Sequence, residues 1–310
     1  MGYHFKKIEP ELYNDLIPVF KSAFNTEIDS QAISNKQNTD FSGQKDVGFI
    51  AYSEKNDPAG YYAVFPLKVK INSKIILASQ SGDTMVHKSH QRKGLFTILA
   101  EHTYNLCEQI GINGVFGFPS SSSYPGFINK LKWIHKENIL KYQFLIYTLP
   151  LSELSNRYNL FLPIYKYWFN LLKSLFKAGD YFEGSVTSEG QNGVFRDEDY
   201  WKYKMKNKNI SVIKISNSDI IIKLEGKLGI GDVNYLNFKQ LKNLIFKLKL
   251  FCFFAGINRL VFYVSPKTKL DFDLSKLITP QTGLPISFRE FKENLDFESL
   301  KFVYFDMDTF

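Results

Sequence analysis

Between residues 47 and 118 the apolar pattern changes period twice, and this order restricts the fold more than any other feature of the chain. VGFIAYSE (47–54), YYAVFPLKVKI (61–71) and IILASQSGDTMVH (75–87) alternate as strands do, joined by the turns KNDPAG and NSK. Leu95, Ile98, Leu99, Leu106 and Ile110, with His102 in phase, then fall at helical spacing. Gly111 stands where a helix closes on a left-handed residue. NGVFGF (113–118) is a short apolar run of the kind buried on both faces of a sheet. A hairpin meander feeding a helix and then a buried strand predicts an α/β (α+β) fold: a mixed, mostly antiparallel sheet flanked by helices.

The flanking segments fit that frame. YHFKKI (3–8) reads as a first strand and ELYNDLIPVFKSAF (11–24) as a helix with Pro18 inside it. PSSSSYPGFINKLKWIH is a loop and short helix, and NILKYQFLIYTL (138–149) a closing strand. Pro150 opens a second region, with an aromatic, lysine-flanked segment at 160–182 that reads as a linker helix buried between two halves, or else as a segment lying on a membrane surface. Residues 183–193 read as a loop. From about residue 194 the order strand, strand, strand, helix, strand, short helix, strand recurs, ending in ISF and FVYFDMDTF. The expected organisation is a domain at 1–150, a linker at 151–193 and a second, similar half-chain at 194–310.

A length of 310 residues with 44% hydrophobic residues supports a real core and excludes a disordered chain. The net charge of +8 favours anionic partners (nucleotides, nucleic acid or acidic lipid headgroups) or else reflects a lysine-rich solvated surface. Cys107 and Cys252 sit in apolar, helix-like contexts, so a reducing compartment fits better than a disulfide framework. The start has no continuous apolar stretch like that of a secretory signal, and no run reaches the ~20 apolar residues of a spanning helix. A cytoplasmic protein is expected. Metalloprotease, zinc-cluster, Walker and nucleophile-elbow motifs are absent, and no metal is expected.

HQRKGLFTIL (90–99) gathers donors around a glycine between a strand and a helix start. That is the geometry of a phosphate site, where first-turn amides and the helix dipole meet negative charge, and it is equally that of a simple helix cap. The order meander, V-x-K-x-x-Q-x-x-G, helix, strand, short helix, strand resembles the GNAT acyltransferase superfamily, whose loop motif is Q/R-x-x-G-x-G/A. Gln91, Gly94 and Phe96 fill those positions, with a phenylalanine at the usual small residue. FINKLKW (127–133) is similar to the family's F-Y-x-K-L-G-F, with Ile128 at the usual tyrosine and Lys132 at the usual glycine. The resemblance covers about residues 3–149, and the second half looks like a degenerate copy, as in tandem-GNAT proteins.

The resemblance implies that acyl-CoA, acetyl-CoA by default, lies along Met85 and Val86 and against Gln91, Arg92, Lys93, Gly94, Leu95, Phe96 and Thr97. The sheet should splay near Val86, with the helix from Leu95 starting at the splay. The reaction is direct attack of a primary amine on the thioester, so it needs a proton acceptor, a donor to the carbonyl oxygen and a proton for the leaving thiolate. Asp83 is the first candidate base, or else a carboxylate that caps a turn. Tyr124 is the candidate acid, or an anchor for Pro125 and Phe127. His87 is a second candidate base or a phosphate contact. Gln80 and Ser121 are placed to orient an acceptor, and Asp306 and Asp308, on one face of a C-terminal strand, to bind its amine.

The leading reading is an N-acyltransferase acting on a small-molecule amine, with an aminosugar or nucleotide-linked aminosugar as acceptor class and no nucleic-acid partner. A cleft between two halves with a basic surface suits a bulky anionic substrate. Two other readings stand beside it. One is a tandem-GNAT enzyme transferring aminoacyl groups from charged tRNA to a cell-wall precursor. The other is a non-enzymatic module binding nucleic acid or a membrane surface through its basic patch.

Overall fold

The computed structural model describes residues 2–293 and 295–310. Up to residue 117 the chain runs β1 (Tyr3–Lys7), α1 (Tyr13–Phe24), α2 (Ser30–Gln37), β2 (Val47–Ser53), β3 (Pro58–Ile71), β4 (Lys74–Val86), α3 (Leu95–Gln109) and β5 (Gly114–Gly117). β6 (Ile134–Leu145) follows. Residues 151–204 hold shorter pieces: α4 (Leu151–Arg157), α5 (Leu162–Lys173), β7 (Lys177–Ala178), α6 (Ser185–Ser188), β8 (Gly193–Val194) and α7 (Glu198–Lys204). Then come β9 (Ile210–Ile215), β10 (Ser218–Leu224), β11 (Leu228–Val233), α8 (Phe238–Phe254), β12 (Arg259–Val264), α9 (Lys269–Ser275) and β13 (Gln281–Glu290).

These elements form two compact units, and neither is one continuous stretch. The first holds Met1–Glu137, Glu198–Tyr203 and Pro285–Leu300. In it β1, β2, β3 and β4 pair antiparallel in sequence order, and β4 pairs parallel with β5. The β3–β4 turn places Asn72 and Ser73 both at left-handed φ, 49° and 64°, which matches the twist of a two-residue hairpin. One face of this sheet buries Leu16, Val19, Ile50, Tyr61 and Met85 beneath α1. The other buries Val64, Leu99, Tyr104, Val115 and Trp133 beneath α3. Ile98, counted with the apolar face of α3, is exposed, and Tyr104 and Cys107 bury in its place.

The second unit holds Asn138–Asp197, Lys204–Leu284 and Lys301–Phe310. β9–β10 and β10–β11 are antiparallel and β11–β12 is parallel, the same succession as β2–β3, β3–β4 and β4–β5. Helices α3 and α8 also end alike. Gly111 and Gly256 take φ of 84° and 65°, and the amides of Ile112 and Ile257 bond back to the carbonyls of Cys107 and Cys252 at 2.9 and 2.8 Å. The two buried cysteines therefore hold equivalent places in a repeated C-x-x-x-G-I-N sequence.

Three expectations need correction. The closing strand of the first half does not close it: residues Leu140–Leu145 of β6 pair with β12 in the second unit, and Ser287–Glu290 of β13 pair with β5 in the first. The segment at 160–182 is no buried linker, since α5 buries Tyr165 and Phe169 and leaves most of its other large apolar side chains exposed. FVYFDMDTF is not a strand either. Val303 makes one bridge to Val264, and the chain then turns through Tyr304–Asp306 because the Asp306 carboxylate accepts the Val303 amide at 2.9 Å. β-forming side chains favour a strand there, but a carboxylate folding back on its own backbone turns the chain instead.

Asp306 is 2% exposed and also accepts from Arg196, whose guanidinium spans Asp306 at 2.8 Å and Asp232 at 2.6 Å. Arg196→Met should leave two buried carboxylates without their cation. The expected loss is ~3–5 kcal/mol of stability, read as a fall in the urea midpoint with little change in slope.

Candidate functional site

The site begins with a mismatch in strand pairing. β4 is bonded to β3 along its length, but to β5 only at Ser79↔Val115 and Gln80↔Phe116. Beyond Gln80 the two parallel strands part, so the splay opens several residues before Val86. Against β3 the register slips by one between Tyr62↔Thr84 and Val64↔Ser81, leaving Gly82 and Asp83 opposite Ala63. This is a β-bulge, which bends its strand and re-aims side chains. A side chain at position 82 would run into the ring of Phe65, so glycine is required. Asp83 emerges beside α2 and binds Lys36 Nζ at 2.7 Å. Lys36 also stands over the Phe65 ring at 5.6 Å.

Gln80 is 3% exposed, and its Nε2 makes no hydrogen bond among the described residues. A buried amide donor left unpaired is costly unless something other than the chain accepts from it. On the opposite face of β4, Ser81 Oγ and Tyr104 Oη each lie 2.9 Å from Tyr62 Oη, and Trp133 Nε1 donates to Tyr104 at 3.0 Å. Burial pushes the Tyr62 and Tyr104 phenols above their ordinary range, so they stay neutral and act as hydrogen-bonding struts.

From Val86 the chain turns through His87–Gly94 into α3. Gly94 caps the helix at φ +78° and Arg92, two residues earlier, sits at φ +62°. Left-handed residues at this spacing turn successive amides toward one concavity, a form that holds anions. A Cβ on Gly94 would meet nothing within 4 Å, so the glycine answers a backbone requirement and not a crowded one. The Leu95 and Phe96 amides belong to the first turn and have no partner within the helix. Phe96, standing at the family's small residue, points inward. Its ring packs on Phe127 at 5.2 Å and on Tyr62 at 6.3 Å, leaving the loop face clear.

The two loop histidines hold the loop in shape. His87 Nδ1 accepts the Ser89 amide at 3.3 Å and lies 2.8 Å from Ser89 Oγ. His90 Nδ1 meets the Tyr3 hydroxyl at 2.9 Å, and burial, followed by the charges of Lys93 and His87, holds its pKa below the usual range. Gln91 reaches back to the Val86 carbonyl at 3.5 Å, while Arg92 and Lys93 are exposed. Because β4 and β5 are parallel, their carboxyl ends share one edge. The loop after β5, with Ser121 and Tyr124, starts from that edge. Ser121 is exposed in a turn where Ser120 bonds Ser122 and Ser123, and the Tyr124 ring meets His135 edge-on at 5.7 Å.

Ile128 packs partly buried against the α3-side core, so no hydroxyl stands at the family's tyrosine. Lys132 has φ +56°, which explains the family's glycine there: the backbone is left-handed whatever the residue. Asp306 and Asp308 belong to the second unit. No local spacing in the sequence marks Lys36, 47 residues from its partner, or the Tyr62–Tyr104–Trp133 chain. Among the described residues no cluster of three or more His, Cys, Asp or Glu could hold a metal ion. No helix of the described residues is long and apolar enough to cross a membrane.

Comparison with known proteins agrees with this geometry. Residues 4–133 match the family model for the acetyltransferase (GNAT) domain. A putative acetyltransferase from Pyrococcus horikoshii superposes with a TM-score of 0.57 at 14% identity, covering 99% of this chain and 95% of that one. A probable N-acyltransferase from Enterococcus faecalis gives 0.61 at 12% identity, over 94% and 73% of the two chains. Saccharomyces cerevisiae N-myristoyltransferase with bound myristoyl-CoA gives 0.53 at 8%, over 95% and 80%. A search of curated proteins by sequence finds no match. Residues 4–133 thus match a GNAT domain by sequence, and the fold is that of GNAT acyltransferases.

Substitutions in the loop and at Lys132 test this arrangement. Gly94→Glu places a negative side chain where amides face the loop, and it should abolish acyl-CoA binding in calorimetry. The added side chain has room, so thermal melts should show a folded protein, set back only by the ~1–2 kcal/mol of a left-handed residue. Arg92→Ala or Lys93→Ala should weaken binding by about tenfold, and more at low salt. Lys132→Gly removes left-handed strain and should raise stability by up to about 1 kcal/mol after glycine's own entropy cost, seen as a higher melting temperature.

Proposed function

We propose that the first unit is an acyl-CoA-dependent N-acyltransferase that moves an acetyl group to a primary amine. The observation that carries this reading is the parting of β4 from β5 beside an open, glycine-capped helix start. The parting frees the strand's amides and carbonyls for the amide-bearing arm of CoA, and the loop amides with Arg92 and Lys93 face its pyrophosphate. The Met85–Val86 strand end and Leu95–Thr97 complete the contact. The amine nitrogen attacks the thioester carbon, a strand amide stabilises the oxyanion, and the C–S bond breaks as the thiolate takes up a proton.

Asp83 is the group assigned to the amine's proton. Lys36 engages Oδ1, and Oδ2 accepts no hydrogen bond among the described residues. Gln80 orients the acceptor through its unpaired amide, with Ser121 at the rim, and Tyr124 is the candidate donor to the thiolate because Ile128 offers none. The acceptor class inferred from the net charge of +8 is a small anionic amine, with a nucleotide-linked aminosugar as the first to assay. The second unit reads as a degenerate GNAT copy. Where α3 starts on an open glycine, α8 starts on Asn237, whose side chain takes the Gln240 amide at 3.0 Å and closes the helix end.

Calorimetry with acetyl-CoA and myristoyl-CoA, followed by turnover assays, tests the proposal. Acetyl-CoA should bind in the micromolar range or tighter. Asp83→Asn should cut turnover by roughly 10²-fold or more, the scale of general-base loss, with CoA affinity nearly intact. Unchanged turnover would pass the proton to His87 or to solvent. Absence of any acyl-CoA binding would overturn the proposal.

A further inference from the structure

Residues 145–181 carry fourteen of the 24 exposed large hydrophobic side chains among the described residues. They concentrate on α5 and its neighbours. Tyr165 and Phe169 of α5 face inward, with Phe169 against Phe251 of α8 at 5.6 Å. The next stripe around the same helix, Ile164, Trp168, Leu171 and, just past its end, Leu175, recurs at three- and four-residue spacing and is exposed. Packing within the unit uses only one of the two apolar stripes. α8 does the same on its outer side, where Phe246, Leu250 and Phe254 follow one another at i, i+4 and i+8 and are exposed. The two stripes meet where Trp168 Nε1 donates to the Phe254 carbonyl at 3.2 Å.

Charge identifies the occupant. From Leu145 to Ala178 the one acidic residue is Glu153, and it is paired with Arg259. The same stretch carries Arg157, Lys166, Lys173 and Lys177, and α8 carries four lysines and no acid. A second copy seated by two-fold symmetry would set these eight cations against themselves with a single carboxylate a side. An anionic bilayer meets both features: its headgroups take the lysines, and its acyl boundary takes an in-plane apolar stripe edged with Trp and Tyr. We propose that the α5–α8 face of the second unit docks on an anionic membrane surface, lying in the interface without crossing it.

The chain's tryptophans make the test direct. Trp133 and Trp201 are 3% and 2% exposed, and Trp168 is 40% exposed, so a vesicle-induced emission shift reports on this face. Vesicles of phosphatidylcholine mixed with phosphatidylglycerol should shift emission to the blue and carry the protein down on sedimentation, with both effects weakening as salt rises. Phosphatidylcholine alone should do neither. Ile164→Glu with Leu171→Glu, both at exposed positions, should cut partitioning by about tenfold or more. Should that pair lower the melting temperature, Lys166→Glu with Lys242→Glu gives the same test from the polar side. Trp168→Phe should keep the partitioning and lose the shift. No sedimentation with anionic vesicles, equal binding to neutral ones, or a dimer in sedimentation velocity that Ile164→Glu breaks would overturn the proposal.

Discussion

Strand β4 keeps its bonds to β3 along its length while its bonds to β5 stop at Gln80, and the first unit's chemistry rests on that unequal pairing. A parallel pair continued to Val86 would have consumed the backbone groups on that edge. The bulge at Gly82–Asp83 is what lets one partner persist as the other is lost: the extra residue bends β4 without unzipping it from β3. It also puts Asp83 on the α2 side, where Lys36 meets it, three residues along β4 from the buried and unpaired amide of Gln80. Bulge, splay and charge pair are one local event.

A mobile scaffold could not hold such an opening, and the α3 face supplies the stiffness. Tyr62 of β3 shares hydrogen bonds with Ser81 and Tyr104, and Trp133 bonds Tyr104 in turn. The network ties β3, β4, α3 and the start of β6 at four points, with neutral hydroxyls that burial keeps from ionising. Phe96 extends the same packing into the first turn of α3 and fixes the helix start against Phe127. What looks from the motif like an obstructive side chain is a bolt on the inner side of the loop.

The period changes between 47 and 118 made the meander, the helix and its glycine cap legible, because each rests on local spacing. The loop was legible for the same reason. Partners distant in sequence were not: Lys36 reaches Asp83 across 47 residues, and Arg196 reaches Asp306 across 110. The C-terminal strand failed because Asp306 competes for a backbone amide, which a hydropathy pattern does not register. One signal in the sequence does reach across the halves: C-x-x-x-G-I-N at both 107 and 252 marks the end of the equivalent helix in each.

The strand exchange has a consequence for how the molecule is made. Synthesis delivers the N-terminus first, yet β5 waits for residues 287–290 to complete its pairing. Until then a nascent chain with α3 and β5 already emerged carries an unpaired apolar edge, and β6 likewise has no β12 to join. The first unit cannot be finished on the ribosome before residues 287–290 have left it, nor the second before residues 301–310 have. Contacts spanning some 170 residues make slow, cooperative folding the natural regime. A gene cut at residue 150, where the sequence suggests a domain boundary, would yield two fragments, each holding a strand that belongs to the other.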